Sequence, residues 1–223
     1  MSRSEVIAFR RNHADRSEKE NTGSSPTGHS LFDSMGFLLV RDAIPSHLIP
    51  DAPEEVQCGR LSNGVANNDG SENQVSGSLE RYNTPGLLDT FLFVQNLVET
   101  TIGKPVYRTY YFDRFYHTGE VLDYHTDRPS CEISVSFHCG SNIPAPYCDW
   151  PFFIKSVEGS EHSIKLKKGD AVLYKGCERP HWRNPLTTPY QLDSVNGEQY
   201  YYHQMFMHFV LQQGIRSHHK NDR

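Results

Sequence analysis

A chain of 223 residues, 36% hydrophobic and 12% aromatic, has enough apolar content for one core and fits one domain of the β-barrel type. A formal net charge of −5 argues against a nucleic-acid surface as the main function, since such domains carry a basic patch or stripe. No run of 18 apolar residues is present, so no membrane span is expected, and the polar N-terminus lacks the apolar stretch of a secretory signal. Five cysteines (Cys58, Cys131, Cys139, Cys148 and Cys177) form an odd set without the paired spacing of a zinc site, which fits reduced thiols in a cytoplasmic protein.

Residues 1–28 are polar and end in NTGSSPTG, so a mobile arm is expected there, with a helix over Glu5 to Arg16 as the alternative. Ser30 to Met35 can start a short helix, and Gly36 to Val40 reads as a buried strand. Ile44 to His47 reads as a strand end passing into a helix opened by Pro45 and Ser46. Gly59 to Ser78 is rich in Gly, Asn and Ser and longer than an ordinary connection, as lids and mobile loops are. The spacing of Leu87, Phe91, Val94 and Val98 predicts a helix over Gly86 to Thr101, stopped by Ile102-Gly-Lys-Pro105. From Val106 the pattern changes to strands, at 106–117, 131–138, 151–156, 162–166, 170–175, 180–184 and 199–210. The fold class is therefore mainly β with buttressing helices: a helical part over 29–104, a strand-rich core over 105–211, and a basic tail over 212–223 expected to fray.

Two stretches carry chemistry. Tyr116 to Asp127 reads YHTGEVLDYHTD and holds His125 and Asp127 two residues apart. In extended backbone such residues point to one face, so both can reach one ion. Gly169 to Arg183 reads GDAVLYKGCERPHWR and holds His181. Two imidazoles and a carboxylate can occupy one face of an octahedral Fe(II) and leave three positions open. With 12 histidines in the chain a lone His-x-Asp is a weak signal, and the joint pattern carries the reading.

That pattern is Tyr116-x-x-Gly119-x-x-Leu122-x-x-His125-x-Asp127, then the strand Gly169 to Tyr174, then His181. It resembles the Fe(II)/2-oxoglutarate-dependent oxygenases, nearest the prolyl-hydroxylase and phytanoyl-hydroxylase-like branch, over roughly residues 30 to 211. The resemblance implies a double-stranded β-helix, the jelly-roll barrel of the cupin type. It implies an oxygenase domain over 29–211, with His125, Asp127 and His181 as Fe(II) ligands and 2-oxoglutarate and O2 as cosubstrates. The implied reaction is hydroxylation of an unactivated C–H bond in a small molecule or an amino-acid residue, with release of succinate and CO2. Two other classes stay open: a cupin-type metal enzyme that does not use 2-oxoglutarate, and a non-catalytic jelly-roll binding module.

The distal carboxylate of 2-oxoglutarate needs a cation, best a planar guanidinium. Many relatives carry an Arg or Lys about ten residues past the distal His. Here positions 190 and 191 are Tyr and Gln, and no Arg or Lys occurs between Arg183 and Arg216. Arg183, two residues after His181, faces the same interior and is the candidate. Tyr116 matches the tyrosine that hydrogen-bonds the cosubstrate in relatives. Counting back by two puts Arg114, Phe112, Tyr110 and Arg108 on its face, and an inward Arg needs an anion, so Arg114 is a second clamp or a substrate anchor. Ser134 and Ser136 alternate with apolar neighbours and could line the pocket; Gln204 and His208, on the face of Phe206, could line it or be satisfied core residues. Tyr110 and His208 are candidates for substrate contact, and Arg128 could reach a substrate carboxylate at the mouth or pair with Glu132. Trp150 and Trp182 are expected to pack.

Overall fold

The computed structural model describes residues 28–57, 75, 78–189, 194–195 and 198–222. In chain order the elements are α1 (Gly28–Met35), β1 (Phe37–Val40), α2 (Glu54–Gln57), β2 (Leu79–Tyr82), α3 (Leu88–Ile102), β3 (Val106–Tyr116) and β4 (Leu122–His125). They continue with β5 (Ile133–Ser141), β6 (Phe152–Lys155), β7 (Glu161–Ile164), β8 (Ala171–Tyr174), β9 (His181–Arg183), β10 (Ser194–Val195), β11 (Glu198–Gln199) and β12 (Tyr202–Leu211). The helix expected from Gly86 begins two residues later, and Gly103 ends it with φ 65°, its N–H bonded to Glu99 O.

Alternation along the strands sorts the side chains between two layers. The larger sheet runs β1-β8-β5-β12-β3-β2, the smaller β4-β9-β6-β7, and β10 pairs with β11. Leu38, Val135, Phe137, Leu173, Met205, Met207 and Phe209 point outward from the larger sheet and pack under Phe32 of α1 and Phe91, Val94, Val98 and Ile102 of α3. Their neighbours in sequence point the other way. Phe37, Leu39, Val172 and Tyr174 meet Phe152, Ile154 and Ile164 of the smaller sheet. Tyr110, Phe112, Tyr116 and Phe206 close the other half of the interior with Leu122 and Trp150. The helices thus buttress one face, and the space between the sheets is left for the polar residues of the strands.

Four expectations are corrected. At Ser46 only one 3-10 turn forms, Ser46–Leu48, rather than a helix. Neither α2 nor β2 was expected, because LERY has no apolar alternation to mark it as a strand. Arg108 does not share the face of Tyr116: the β3–β12 register shifts between Met207 and Phe209, and the extra residue reverses the parity. Arg108 accordingly lies over the Phe91 ring on the helical side, 5.5 Å from its centroid. The tail is also ordered, with a 3-10 turn at Ser217–Asn221, an Arg216–Glu132 ion pair at 3.4 Å and a His219–Asp222 contact at 2.9 Å. The arm expected over 1–28 and the loop over 59–78 lie outside the described residues, apart from Gly28, Val75 and Ser78.

Candidate active site

The antiparallel pairing of β4 with β9 sets His125 directly opposite His181. His125 Nδ1 lies 2.6 Å from the Asp123 carbonyl and His181 Nδ1 2.9 Å from the Arg179 carbonyl. A carbonyl only accepts, so both rings donate from Nδ1, and a neutral ring held this way presents its lone pair on Nε2. Each Nε2 is 3.5 Å from the same atom, Asp127 Oδ1. The other carboxylate oxygen, Oδ2, accepts the Ser134 hydroxyl at 2.7 Å. Asp127 N–H donates to Gly176 O at 2.9 Å, and a Cβ at Gly176 would collide with Asp127 Oδ2, Ser134 Oγ and the Cys131 carbonyl. Glycine is required there by close approach.

Burial alone would raise the Asp127 carboxyl, yet the adjacent rings of His181 and His125 and the hydroxyl of Ser134 hold it well below the usual carboxylate range. Burial lowers His181 despite Asp127 beside it, so its imidazole is neutral. Two imidazoles and one ionised carboxylate, their donor atoms within 4.8 Å of one another, fit a divalent transition-metal ion such as Fe(II). The site opens through His125 and Asp127, while His181 is closed off.

Next to it lies a buried cation. Arg183 is 1% exposed, and its guanidinium donates to Trp150 O at 2.7 Å and to Gln204 Oε1 at 2.9 Å. Gln204 in turn donates to Ser136 Oγ at 2.6 Å. The guanidinium lies 4.5 Å from the Trp150 ring centre and 5.1 Å from that of Tyr202. Among the described residues no carboxylate pairs with it. A buried charge with neutral partners alone is costly.

Arg114 is different. Its Nε donates to Glu80 Oε1 at 2.7 Å, its Nη2 is 2.5 Å from the same oxygen, and its Nη1 donates to the Tyr116 hydroxyl at 3.0 Å. The anion that an inward Arg114 needs is therefore Glu80 of β2, a residue that the strand's polar sequence hid. Both side chains are almost fully buried, so breaking the pair strands a charge, at about 3–5 kcal/mol. Glu80→Ala is expected to lose that much stability in urea unfolding; a loss below about 1 kcal/mol would show that the pair is not needed.

No protein-family model and no curated protein sequence matches the chain. Solved structures do. A prolyl-4-hydroxylase from Pseudomonas putida is 14% identical, with a TM-score of 0.54 over 79% of this chain and 94% of that one. An oxidoreductase of the 2OG-Fe(II) oxygenase family from Burkholderia pseudomallei is 12% identical, with a TM-score of 0.55 over 86% and 93% of the two chains. HygX from Streptomyces hygroscopicus, solved with nickel, 2-oxoglutarate and hygromycin B, is 11% identical, with a TM-score of 0.53 over 80% and 84%. The chain has their fold, a double-stranded β-helix.

Within this β-helix one face of β2, β3 and β12 is an aromatic wall. Tyr82, Phe112 and Phe206 stack in a row, with ring centres 4.9 and 4.7 Å apart. Tyr110 and His208 continue it, 4.7 Å apart. Exposed Arg128 covers the Tyr110 ring at 4.4 Å and donates to its hydroxyl at 3.1 Å. Glu132, the partner considered for Arg128, instead accepts from Leu211 N at 2.8 Å and pairs with Arg216. Trp150 is buried and donates to Asn184 O at 2.8 Å, whereas Trp182 stacks on Phe153 on the outer face of the smaller sheet. Ser134 and Gly176 are the neighbours of the triad whose role spacing did not reveal. Alternation marks Ser134 as inward but not what it touches, and nothing local marks Gly176.

Behind Arg114, Glu120 accepts from His117 N at 3.0 Å. Burial, with Glu80 adding to it and Arg114 opposing it, raises its carboxyl from 4.5 to about 7. The native state thus binds more protons than the unfolded chain between those values, so stability falls as pH rises from about 4.5 to 7, and the penalty is complete above that. Glu120→Gln is expected to be about 1–2 kcal/mol more stable at pH 8, allowing for solvent screening, and unchanged at pH 4. Equal unfolding free energies for the two proteins at pH 8 would contradict this.

Proposed function

We propose that the chain is an Fe(II)/2-oxoglutarate-dependent dioxygenase that hydroxylates an unactivated C–H bond of a small molecule or an amino-acid residue. The observation that carries this reading is a two-His, one-Asp set whose His181 shares β9 with Arg183, a buried guanidinium that no carboxylate pairs with among the described residues. His125, Asp127 and His181 would hold the metal. Fe(II) with 2-oxoglutarate and O2 supplies the oxidising power, with release of succinate and CO2.

The chain's own residues prepare that site. The Asp123 and Arg179 carbonyls keep both histidines in the tautomer that presents Nε2. Asp127 stays ionised, so metal entry needs no proton removed from it. Arg183 takes the distal carboxylate, with Gln204 and Ser136 fixing its orientation in place of the late Arg or Lys of many relatives. Burial of that pocket excludes water and strengthens the ion pair. Tyr82, Tyr110, Phe112 and Phe206 offer an apolar wall for substrate, with Arg128 at its rim.

The test is succinate formation from 2-oxoglutarate by the purified protein, with candidate substrates read by mass spectrometry for a gain of one oxygen. Turnover that requires both Fe(II) and 2-oxoglutarate is expected. Metal-dependent turnover that proceeds without 2-oxoglutarate would replace this reading with that of a cupin-type metal enzyme.

A further inference from the structure

The two oxygens of Asp127 have different neighbours. Oδ1 faces the Nε2 atoms of His125 and His181, and Oδ2 accepts the Ser134 hydroxyl. Ser134 has one hydrogen, and an ionised carboxylate can only accept, so at 2.7 Å that hydrogen belongs to Oδ2. The longer contact of Ser134 Oγ with Cys131 O, 3.3 Å, is secondary. Ser134 Oγ is also 3.0 Å from His208 Nδ1, and with its own hydrogen spent it must accept there. His208 is therefore the Nδ1–H tautomer, and its Nε2 is a bare acceptor.

That Nε2 is buried, and among the described residues it has no hydrogen-bond partner. An acceptor left so is costly, and a phenyl ring would fill the same place in the stack with Tyr110 and Phe112 without the cost. Packing does not account for an imidazole here; the Nδ1–H donor does. Ser134 and His208 come from β5 and β12, which are paired with Ser134 opposite His208, so the sheet itself sets the relay.

Resting on the metal reading above, we propose that His208 and Ser134 are positioning residues that fix Asp127 as a one-oxygen ligand. Oδ2 is held by the His208–Ser134 chain and only Oδ1 is presented to the metal. A carboxylate free to turn could bind through both oxygens and occupy a position that the cosubstrate or substrate needs. The hydroxyl of Ser134 also joins Asp127 to His208, two members of the second cluster of ligand-type side chains (Asp127, Cys131 and His208), so this cluster acts as support for the first.

Co(II) serves as the probe, since its affinity and visible absorption report ligation independently of turnover. His208→Phe keeps the ring stack and removes the donor. It is expected to unfold at or above the wild-type temperature while Co(II) affinity falls about 10–100-fold and the absorption spectrum changes. His208→Asn places an amide N–H where Nδ1 was and is expected to restore most of the affinity; His208→Gln places it at the Nε2 position and is not. Ser134→Ala should reproduce the loss in a smaller change should His208→Phe fold poorly. Wild-type Co(II) affinity and spectrum in folded His208→Phe or Ser134→Ala, or equal rescue by Gln and Asn, would overturn the proposal. So would a proton on His208 Nε2 in the nitrogen-15 NMR spectrum of the metal-free wild type, a measurement that needs no variant. A wild-type protein that takes up no Co(II) would instead sink the metal reading itself, and this proposal with it.

Discussion

His181→Ala is expected to lose Fe(II) affinity by at least about 100-fold and to form no succinate. The ring is almost wholly buried, and its Nε2 is one of two imidazole donors beside Asp127 Oδ1 among the described residues. Metal sites of three or four protein ligands draw several kcal/mol from each, so losing one cannot be made up by the other two. The vacated volume lies between Phe152 and Tyr174, whose rings are 5.5 and 4.7 Å from that of His181 and offer no replacement donor except a hydroxyl. Equilibrium dialysis against Fe(II) or Co(II) measures the effect directly. Full metal content together with turnover in His181→Ala would sink the triad.

Arg183→Ala is expected to weaken 2-oxoglutarate binding by 2–5 kcal/mol, about 30- to 5,000-fold, with metal content unchanged. The physical reason is that the pocket is already desolvated: a carboxylate entering it without the guanidinium would be a buried, unpaired charge. His181 lies two residues away on the same strand, but its Nδ1 is held by the Arg179 carbonyl and not by Arg183, so the metal face is left intact. Arg183→Lys should recover little, because a single ammonium cannot grip both oxygens in the fork geometry. Isothermal titration with 2-oxoglutarate in the metal-loaded protein reads the change. The contrary result, binding lost in Arg114→Ala and kept in Arg183→Ala, would exchange the two roles, and the closed Arg114–Glu80 pair argues against it.

What could be read from the chain alone was what is local. Periodicity of 3.6 marked α3, and alternation marked most of the strands as well as the inward set Ser134, Ser136, Gln204, Phe206 and His208, because backbone geometry forces every second side chain to one face. The same rule put His125 beside Asp127 and Arg183 beyond His181. Alternation fails where one extra residue enters a strand, as in β3, and Arg108 then turns to the helices. It is silent about partners as well. That Glu80 would neutralise Arg114, that Glu132 would bind Arg216 rather than Arg128, and that Ser134 would join His208 to Asp127 depend on which strands lie side by side. Strand pairing is a long-range choice made by the packing of the whole β-helix, and a polar strand such as β2 enters it with no apolar signature of its own. The chain thus determined by itself which side chains face inward, while the tertiary structure decided which of those charges are already satisfied and left Arg183 as the buried cation without a carboxylate among the described residues.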